Sequence, residues 1–546
     1  MPGQLIIRNL TRETLTLKQA DQFEVQKRSS SAKVFGSITS NFTSIRNDKD
    51  PATQSSEYSS AKRKKALYHE IDNSVLSSKQ NKADISISPF TTHETSIATV
   101  GAEHKKVKVL RLAFESSDGA RYRIDVPAPS DESQTLKPMN PSAGNRQYTA
   151  IFNVDTSTLA LFDTSNLSRW MEAMPDHLPL SALSIPGTHN SPTCHSALPS
   201  VRCQAVSPSA QLENGVRFFD VRLQVEDPGK ADSDALHLVH SAFPISLTGS
   251  KHFRDLLKDI YAFLEKHPSE TLILCLKREG RGNGTDAQLA DRLYDHYINE
   301  RQWHTDSGVP TLGDVRGRIV LMRRFNLGDR LKKEFHGKGW GIDATNWADN
   351  TANHYGGDIQ IQDFYEMTDT ENIDKKIKLV CEHFERAGAV SASSTATGMQ
   401  QQRKANPLFI NFLSASNFFK PGCWPERIAA KLNPAILAFL CEAHDVKDEE
   451  KGDGCTGVVV CDWVGEDGDW DLVRAIVGMN SRILMKEERG LEDEDGESGE
   501  DDEHTGPATR GTRRGRGGRG VGRARGRGRE RGRGAHNELV NDTLHC

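Results

Sequence analysis

The chain of 546 residues has no long apolar run. A membrane-spanning helix needs about 20 consecutive, mostly apolar residues, and no segment approaches that length. Residues 1–8 also lack the long apolar core of a secretory signal. These two absences predict a cytoplasmic protein without a transmembrane segment.

Aromatic residues are missing from the C-terminal part, since no phenylalanine, tyrosine or tryptophan follows Trp470. Beyond Lys486, residues 487–503 are acidic and residues 510–534 are dense in arginine and glycine. Such a composition cannot bury a core, so 487–546 is predicted to be a disordered tail. Arginine and glycine repeats attract the phosphates of RNA or of anionic lipid. Because no folded RNA-binding module is apparent, weak anionic contact is favoured over specific RNA recognition, and a solubilising tail without a partner is the alternative.

The nine cysteines and the histidines show no spacing typical of a zinc site. Most of the cysteines lie in apolar strands, which predicts buried thiols in a reducing compartment. Cys194 and Cys203 flank a short loop, and a disulfide between them is an alternative to two free thiols. His195, His237 and His252 have no feature that separates them from ordinary core histidines.

The first 160 residues are rich in strands that alternate at period two. One hairpin is predicted between Leu5–Leu10 and Thr14–Leu17, and another between Val107–Phe114 and Ala120–Val126. We therefore expect an N-terminal β-rich domain over 1–160, similar to an all-β sandwich. A mobile loop rich in serine, threonine and lysine is predicted over 29–82, where the basic cluster 62–65 is best explained as solvated.

Residues 170–486 alternate strand and helix, which predicts an α/β domain. The segment 252–267 has the apolar stripe of an amphipathic helix, and helices are also expected over 286–299, 372–387 and 471–479. Periodicity alone leaves a distorted TIM barrel and a doubly wound sheet as alternatives.

Four apolar segments of this domain end on residues that can move a proton or hold a phosphate: His189, Arg222, His240 and Asp462. Delivery of such groups at strand ends is typical of a barrel active site. Two imidazoles can serve as general base and general acid for a phosphodiester. A guanidinium between them stabilises the charge that develops on the phosphoryl oxygens.

These segments resemble the X-domain family of phosphatidylinositol-specific phospholipase C in its compact bacterial and fungal form, over roughly 178–486. The resemblance implies a distorted TIM barrel that cleaves phosphatidylinositol to diacylglycerol and inositol 1,2-cyclic phosphate at a membrane surface. It implies that His189 is the general base and that His240 is the general acid. Arg222 then stabilises the phosphorane and Asp462 orients His189. The implied headgroup contacts are Lys277, Glu279, Arg324, Asp363 and Tyr365.

Asn190 departs from the bacterial pattern, in which an aspartate follows the first histidine and assists the general acid. Calcium-dependent relatives carry asparagine there as a metal ligand. Arg222 disfavours calcium, because a cation repels an ion that needs several oxygen ligands, so metal-independent chemistry without a cofactor is predicted. Two alternatives remain: a related phosphodiesterase acting on another phospholipid or a glycerophosphodiester, and a lipid- or RNA-binding protein without activity.

Overall fold

The computed structural model describes residues 3–26, 71, 77, 79–99, 106–127, 133–140, 146–198, 200–230, 232–337, 339–389, 406–444 and 454–488, and the backbone of 390–395. The described residues belong to one compact unit that spans 1–491. The basic cluster 62–65, most of the predicted loop 29–82, and all but the first two residues of the predicted tail lie outside the described residues. The division into domains at 160, 170 and 486 stays a prediction.

Ten strands form the N-terminal part: β1 (Gln4–Leu10), β2 (Leu15–Gln26), β3 (Lys79–Ile87), β4 (Thr91–Ala98), β5 (Lys106–Glu115), β6 (Arg121–Val126), β7 (Gln134–Thr135), β8 (Lys137–Pro138), β9 (Tyr148–Asn153) and β10 (Thr158–Asp163). They build two five-stranded sheets, in the orders β4-β1-β10-β9-β7 and β3-β2-β5-β6-β8. Alternate residues of both sheets point into one shared apolar cluster, as with Leu5 and Ile7 from one sheet and Leu112 and Phe114 from the other. The two sheets therefore pack face to face.

One of the two predicted hairpins is present and the other is wrong. β5 and β6 pair antiparallel around Gly119, whose φ of 79° suits a tight turn. β1 and β2 belong to different sheets, because β1 pairs parallel with β10 and antiparallel with β4. The Asn9 amide donates to the carbonyls of Glu13 and Ile87, both at 2.8 Å, and so fixes the crossing from one sheet to the other. The last residues of the predicted loop, Lys79 to Lys82, begin β3.

The remaining strands are β11 (Ile185–Thr188), β12 (Phe218–Val225), β13 (Leu236–His240), β14 (Phe243–Pro244), β15 (Leu272–Arg278), β16 (Trp303–His304), β17 (Ile319–Arg324), β18 (Ile342–Asp343), β19 (His354–Tyr355), β20 (Ile359–Gln362), β21 (Leu408–Phe412) and β22 (Val458–Cys461). Eight of them follow one another through parallel ladders in the order β18-β17-β15-β12-β11-β22-β21-β20. No ladder joins β18 to β20 in the described part of the chain. The α/β segment is thus a barrel of parallel strands that is open at one seam.

Eight helices accompany these strands: α1 (Pro208–Glu213), α2 (Phe253–Lys266), α3 (Asp286–His296), α4 (Leu312–Val315), α5 (Asp329–Glu334), α6 (Asn372–Thr395), α7 (Pro425–Glu442) and α8 (Asp471–Gly478). Residues 481–488 are also helical. The predicted helix at 252–267 is confirmed as α2, whereas α6 runs eight residues beyond its predicted end. None of the described helices combines the length and apolar composition needed to traverse a bilayer.

The barrel has an apolar interior and apolar outer surfaces. Ile185, Phe218 and Val460 point inward, and Trp170 of a short 3₁₀ helix packs into the same cluster. Phe219 points outward and packs with residues of α2 and α3. Because the eight strands are parallel, their carboxyl ends lie at one end of the barrel, where a barrel collects its reactive groups.

Candidate active site

The candidate catalytic residues lie at or near strand ends, two of them directly after parallel strands of the barrel. His189 directly follows β11, Arg222 lies within β12, and Asp462 directly follows β22. His240 ends β13, which runs antiparallel to β12. Gly187 lets β11 approach β12, since a Cβ at this position would lie 3.0 Å from the Cβ of Phe218. Four residues that are far apart in sequence are thereby placed in one site.

His189 forms an ion pair with Asp462, whose Oδ1 lies 2.9 Å from the ring Nδ1. The backbone of His189 is held by the carbonyl of Cys461 and by the side-chain amide of Gln204. Burial disfavours the charged ring, but Asp462 and Cys203 outweigh it and hold the pKa of His189 well above its usual value. Since Nδ1 is engaged by Asp462, Nε2 is the nitrogen that can accept a substrate proton.

His240 lies beside His189, with ring centroids 5.7 Å apart and planes at 86°. Its Nδ1–H donates to the carbonyl oxygen of Val201 at 2.9 Å, and the Sγ of Cys203 is 3.7 Å from the same nitrogen. Burial lowers the pKa of His240, but Cys203 raises it by more, so that the net pKa is above the usual value. The two rings are close enough for one phosphodiester group to contact both.

Arg222 is buried and paired with two carboxylates. Its Nε and Nη2 donate to the two oxygens of Asp220 at 2.8 and 2.7 Å, and its Nη1 donates to Glu279 at 2.6 Å. Burial opposes the charge, but Asp220 and Glu279 raise the pKa of Arg222 well above its usual value. The same pairing holds the pKa of Glu279 below its usual range against the effect of burial. Arg222 therefore stays charged and is held in one orientation.

Asn190 occupies a left-handed backbone conformation, with φ of 43°, and is fully buried. Its backbone N–H donates to Asp220 at 3.3 Å. Its side-chain oxygen and nitrogen form no hydrogen bond with any residue that the structure describes. No hydrogen bond therefore joins Asn190 to His240, whose described partners are Val201 and Cys203.

The candidate headgroup residues form a second part of the site. Lys277 pairs with Glu279 at 2.9 Å, and burial together with Arg222 lowers the pKa of Lys277. Arg324 lies over the ring of Trp347, with 3.6 Å between the guanidinium carbon and the ring centroid. Its Nη1 is buried without a hydrogen-bond partner in the described part of the chain. Lys277 and Arg324 thus offer positive charge in the neighbourhood of Arg222.

Asp363 and Tyr365 follow β20 at the same end of the barrel. The indole N–H of Trp347 donates to Asp363 at 3.2 Å. The Tyr365 hydroxyl donates to Asp349 at 2.9 Å, and burial with this carboxylate raises the pKa of Tyr365. The Tyr365 ring is thus anchored by its hydroxyl, while its remaining surface is partly open.

Several residues of the site were not predicted from sequence. Asp220 and Trp347 orient two of the predicted arginines, and Cys203 contacts His240. Lys376 of α6 is fully buried and donates to Gln362 and to the carbonyl of Phe364, and burial lowers its pKa to about 7. Asp220 lies in β12 beside Arg222, whereas Cys203, Trp347 and Lys376 come from loops or another element, where an apolar run that ends in charge carries no signal for them.

The described residues include two groups that could hold a metal ion. One consists of His189, Cys203 and His240, and the other of Glu226, His237 and His252. Cys194 and Cys203 are both free thiols, so they are not joined by a disulfide. Neither group was predicted from sequence, because the members of each are distant in the chain.

Comparison with known proteins finds a matching sequence profile, similar enzymes and a similar solved structure. The sequence profile described as "Phosphatidylinositol-specific phospholipase C, X domain" matches residues 177–325. The 1-phosphatidylinositol phosphodiesterase of Listeria monocytogenes is 29% identical over 282 residues, which cover 50% of this chain and 75% of that protein. The enzyme of the same name from Staphylococcus aureus is 27% identical over 330 residues, covering 57% of this chain and 93% of that one. A solved structure of the S. aureus phospholipase C aligns with a TM-score of 0.45 at 22% identity, covering 57% of this chain and 97% of that one.

Proposed function

We propose that this chain, which carries a phosphatidylinositol-specific phospholipase C X domain over residues 177–325, cleaves phosphatidylinositol to diacylglycerol and inositol 1,2-cyclic phosphate. The observation that carries this proposal is the pair of imidazoles, 5.7 Å apart, at the end of the barrel. One of them is paired with a buried carboxylate, and the fixed cation Arg222 belongs to the same site. A protein that only binds lipid has no need of two adjacent groups that transfer protons.

In the proposed reaction, Nε2 of His189 takes the proton from the inositol 2-hydroxyl, whose oxygen then attacks phosphorus. A bond forms between this oxygen and phosphorus, and the bond between phosphorus and the glycerol oxygen breaks. His240 gives its proton to the leaving glycerol oxygen. Asp462 stabilises the imidazolium that forms on His189, which lies 2.9 Å from it.

Arg222 has the charge and position to stabilise the phosphorane. Three of its five N–H groups bind Asp220 and Glu279, which leaves one N–H on each terminal nitrogen. A planar pair of donors matches two oxygens of a phosphoryl group. Because the carboxylates hold the guanidinium before substrate arrives, it does not need to reorganise during the reaction.

We propose that the reaction needs no metal ion. Calcium requires about six to eight oxygen ligands, and the carboxylates beside Arg222 are already engaged. Both oxygens of Asp220 accept from Arg222, and the oxygens of Glu279 accept from Arg222 and from the backbone of Ser241. The amide oxygen of Asn190 remains, and one oxygen is too few to bind calcium in this part of the site.

An apolar rim, which we define as Phe243, Leu247, Phe418 and Phe419, is proposed to contact the membrane. Leu247 is 68% exposed and Phe419 is 89% exposed. Phe418 follows the carboxyl end of β21 and stacks on Phe243, with 5.9 Å between the ring centroids. Large exposed apolar side chains that lie together are typical of interaction surfaces, so the rim suits a peripheral enzyme with a lipid substrate. The proposed contact of the arginine- and glycine-rich tail with anionic lipid would add to this binding.

The test is cleavage of phosphatidylinositol vesicles by the purified full-length chain, with and without EDTA, with chromatographic detection of cyclic inositol phosphate. We expect cyclic product that persists in EDTA. The His189→Ala variant should lose about 10²–10⁴-fold in rate, as expected for removal of a general base. The matched control is His296→Ala, which removes an exposed histidine at the end of α3 and should leave the rate unchanged.

Other outcomes would contradict the proposal. Loss of activity in EDTA would refute metal independence. Cleavage of a glycerophosphodiester but not of phosphatidylinositol would refute the assignment of substrate. Lipid binding without turnover, identical in wild type and His189→Ala, would refute catalysis.

A further inference from the structure

Cys203 lies beside the two histidines of the site, although the proposed reaction does not use a thiol. Its backbone N–H donates to the Thr193 hydroxyl at 3.1 Å, and its carbonyl accepts from Trp463 at 2.8 Å. The residue is fully buried. One ligand atom each from His189, Cys203 and His240 lies within 4.8 Å of the other two. The sulfur therefore faces both rings from a fixed position.

The chemistry and spacing of these three groups suit zinc. Thiolate and imidazole are the ligands that Zn²⁺ prefers in tetrahedral sites. Zinc–sulfur and zinc–nitrogen bonds of about 2.3 and 2.0–2.1 Å at a tetrahedral angle place sulfur and nitrogen about 3.6 Å apart. The Sγ of Cys203 is 3.7 Å from Nδ1 of His240. Rotation of the His240 ring, in which Nδ1 exchanges its hydrogen bond to the Val201 carbonyl for the ion, would bring all three ligand atoms to bonding distance.

The neighbours of the three residues favour the bound form. Asp462 engages Nδ1 of His189 and leaves Nε2 for an ion, which is the usual carboxylate–histidine–zinc arrangement.

We propose that His189, Cys203 and His240 bind one Zn²⁺ ion and that this ion inhibits the phosphodiesterase. This inhibition rests on the proposed function, whereas the binding does not. Zinc forms bonds to the thiolate and to one nitrogen of each imidazole, and the protons displaced from these groups leave to solvent. Neither histidine can then transfer a proton to or from the substrate, so cleavage stops until a chelator removes the ion. No residue is oxidised or reduced.

The experiment uses the full-length chain after treatment with EDTA and removal of the chelator, in a His237→Ala background. This background removes the second candidate metal group, which contains no sulfur. Co²⁺ is the spectroscopic probe and Zn²⁺ the competitor, because a cobalt–thiolate bond gives a charge-transfer absorption that imidazole ligands do not give. The test variant is Cys203→Ser, and the matched control is Cys194→Ser, which removes another free thiol from the same loop.

We expect one Co²⁺ per chain with a thiolate band that Zn²⁺ displaces. This band should be retained in Cys194→Ser and lost in Cys203→Ser, with affinity for zinc lowered about 100-fold or more because the one sulfur ligand is gone. One equivalent of zinc should reduce cleavage at least about tenfold in the parent, as expected when general acid–base groups are blocked. The ratio of rates with and without zinc, measured within each variant, should approach one in Cys203→Ser.

The possible negative results refute different claims. Absence of the thiolate band, or equal zinc affinity in the parent and Cys203→Ser, would refute the zinc site, whether or not the chain cleaves phosphatidylinositol. A thiolate band in a chain that does not cleave phosphatidylinositol would support the site and refute the proposed function. Cleavage that stays unchanged with zinc bound at Cys203 would refute the inhibition.

Discussion

The Arg222→Lys variant should fold but should cleave phosphatidylinositol about 10²–10³-fold more slowly, a loss of about 2.7–4 kcal/mol in transition-state stabilisation. The estimate follows from the hydrogen bonds of Arg222. Asp220 and Glu279 take three of its N–H groups and leave two for the phosphoryl oxygens. A lysine has three N–H groups on one nitrogen. If it contacts both carboxylates, at most one donor remains for the substrate, so about one transition-state hydrogen bond is lost.

Lysine is preferred to an apolar replacement at this position, because Asp220 is fully buried. Removal of the charge would leave Asp220 without its ion-pair partner Arg222, and breaking a buried pair typically destabilises a fold by about 3–5 kcal/mol. Lysine keeps the charge and confines the change to geometry. Thermal unfolding serves as the control for folding.

The assay for Arg222→Lys is steady-state cleavage of a soluble short-chain phosphatidylinositol, so that membrane binding does not contribute. We expect kcat and kcat/KM to fall together, since the lost interaction is made in the transition state. A rate within about threefold of the wild type would refute the role of Arg222. A higher KM with an unchanged kcat would show that Arg222 binds the substrate and not the phosphorane.

Three further predictions concern other parts of the molecule. The Asp462→Asn change removes the carboxylate that raises the pKa of His189. We therefore expect kcat to fall and the acidic limb of the pH profile of kcat/KM to move to lower pH. An acidic limb that does not move would contradict the pairing of His189 with Asp462. Replacing Phe418 and Phe419 by serine should slow cleavage of vesicles about tenfold or more, because each apolar side chain buried in the membrane contributes about 1.5–3 kcal/mol. Cleavage of a soluble substrate should stay unchanged. Equal effects on both substrates would refute the proposed membrane contact of the apolar rim. Lys376 has its pKa lowered from 10.5 to about 7, so its folded form binds fewer protons than its unfolded form between these values. Between pH 7 and 10.5 the free energy of unfolding of the wild type should therefore rise relative to Lys376→Met, by at most about 1.4 kcal/mol per pH unit, and parallel profiles in chemical denaturation would contradict the lowered pKa.

The position of two candidate catalytic residues could be anticipated from sequence, because parallel strands bring their carboxyl ends together wherever they occur in the chain. His189 and Asp462 each follow an apolar strand, which predicts a place at a strand end, while their pairing was implied by the resemblance to the phospholipase C family. The roles of both residues stay predictions until activity is measured.

Contacts made by loops could not be anticipated. Trp347 lies under Arg324 although it belongs to the segment between β18 and β19, and no periodic pattern marks it. The prediction of a hairpin between β1 and β2 was wrong for a similar reason. Alternation of apolar and polar residues at period two shows that a strand has one buried face. The same alternation is expected whether the next strand pairs with the first or crosses to an opposing sheet, so it does not distinguish the two arrangements.

The surroundings of His240, the proposed general acid, differ from those that the sequence predicts. The residue after His189 is an amide that forms no hydrogen bond with His240 in the described part of the chain. The His240 ring is instead oriented by the Val201 carbonyl, and Cys203 contributes most to raising its pKa. A raised pKa favours the protonated ring, which is the form that can deliver a proton to the leaving oxygen. The Cys203 sulfur, which favours the protonated form of His240, is thus the same atom that would complete the proposed zinc site. Replacing Cys203 should therefore alter both the basic limb of the pH profile of cleavage and the inhibition by zinc.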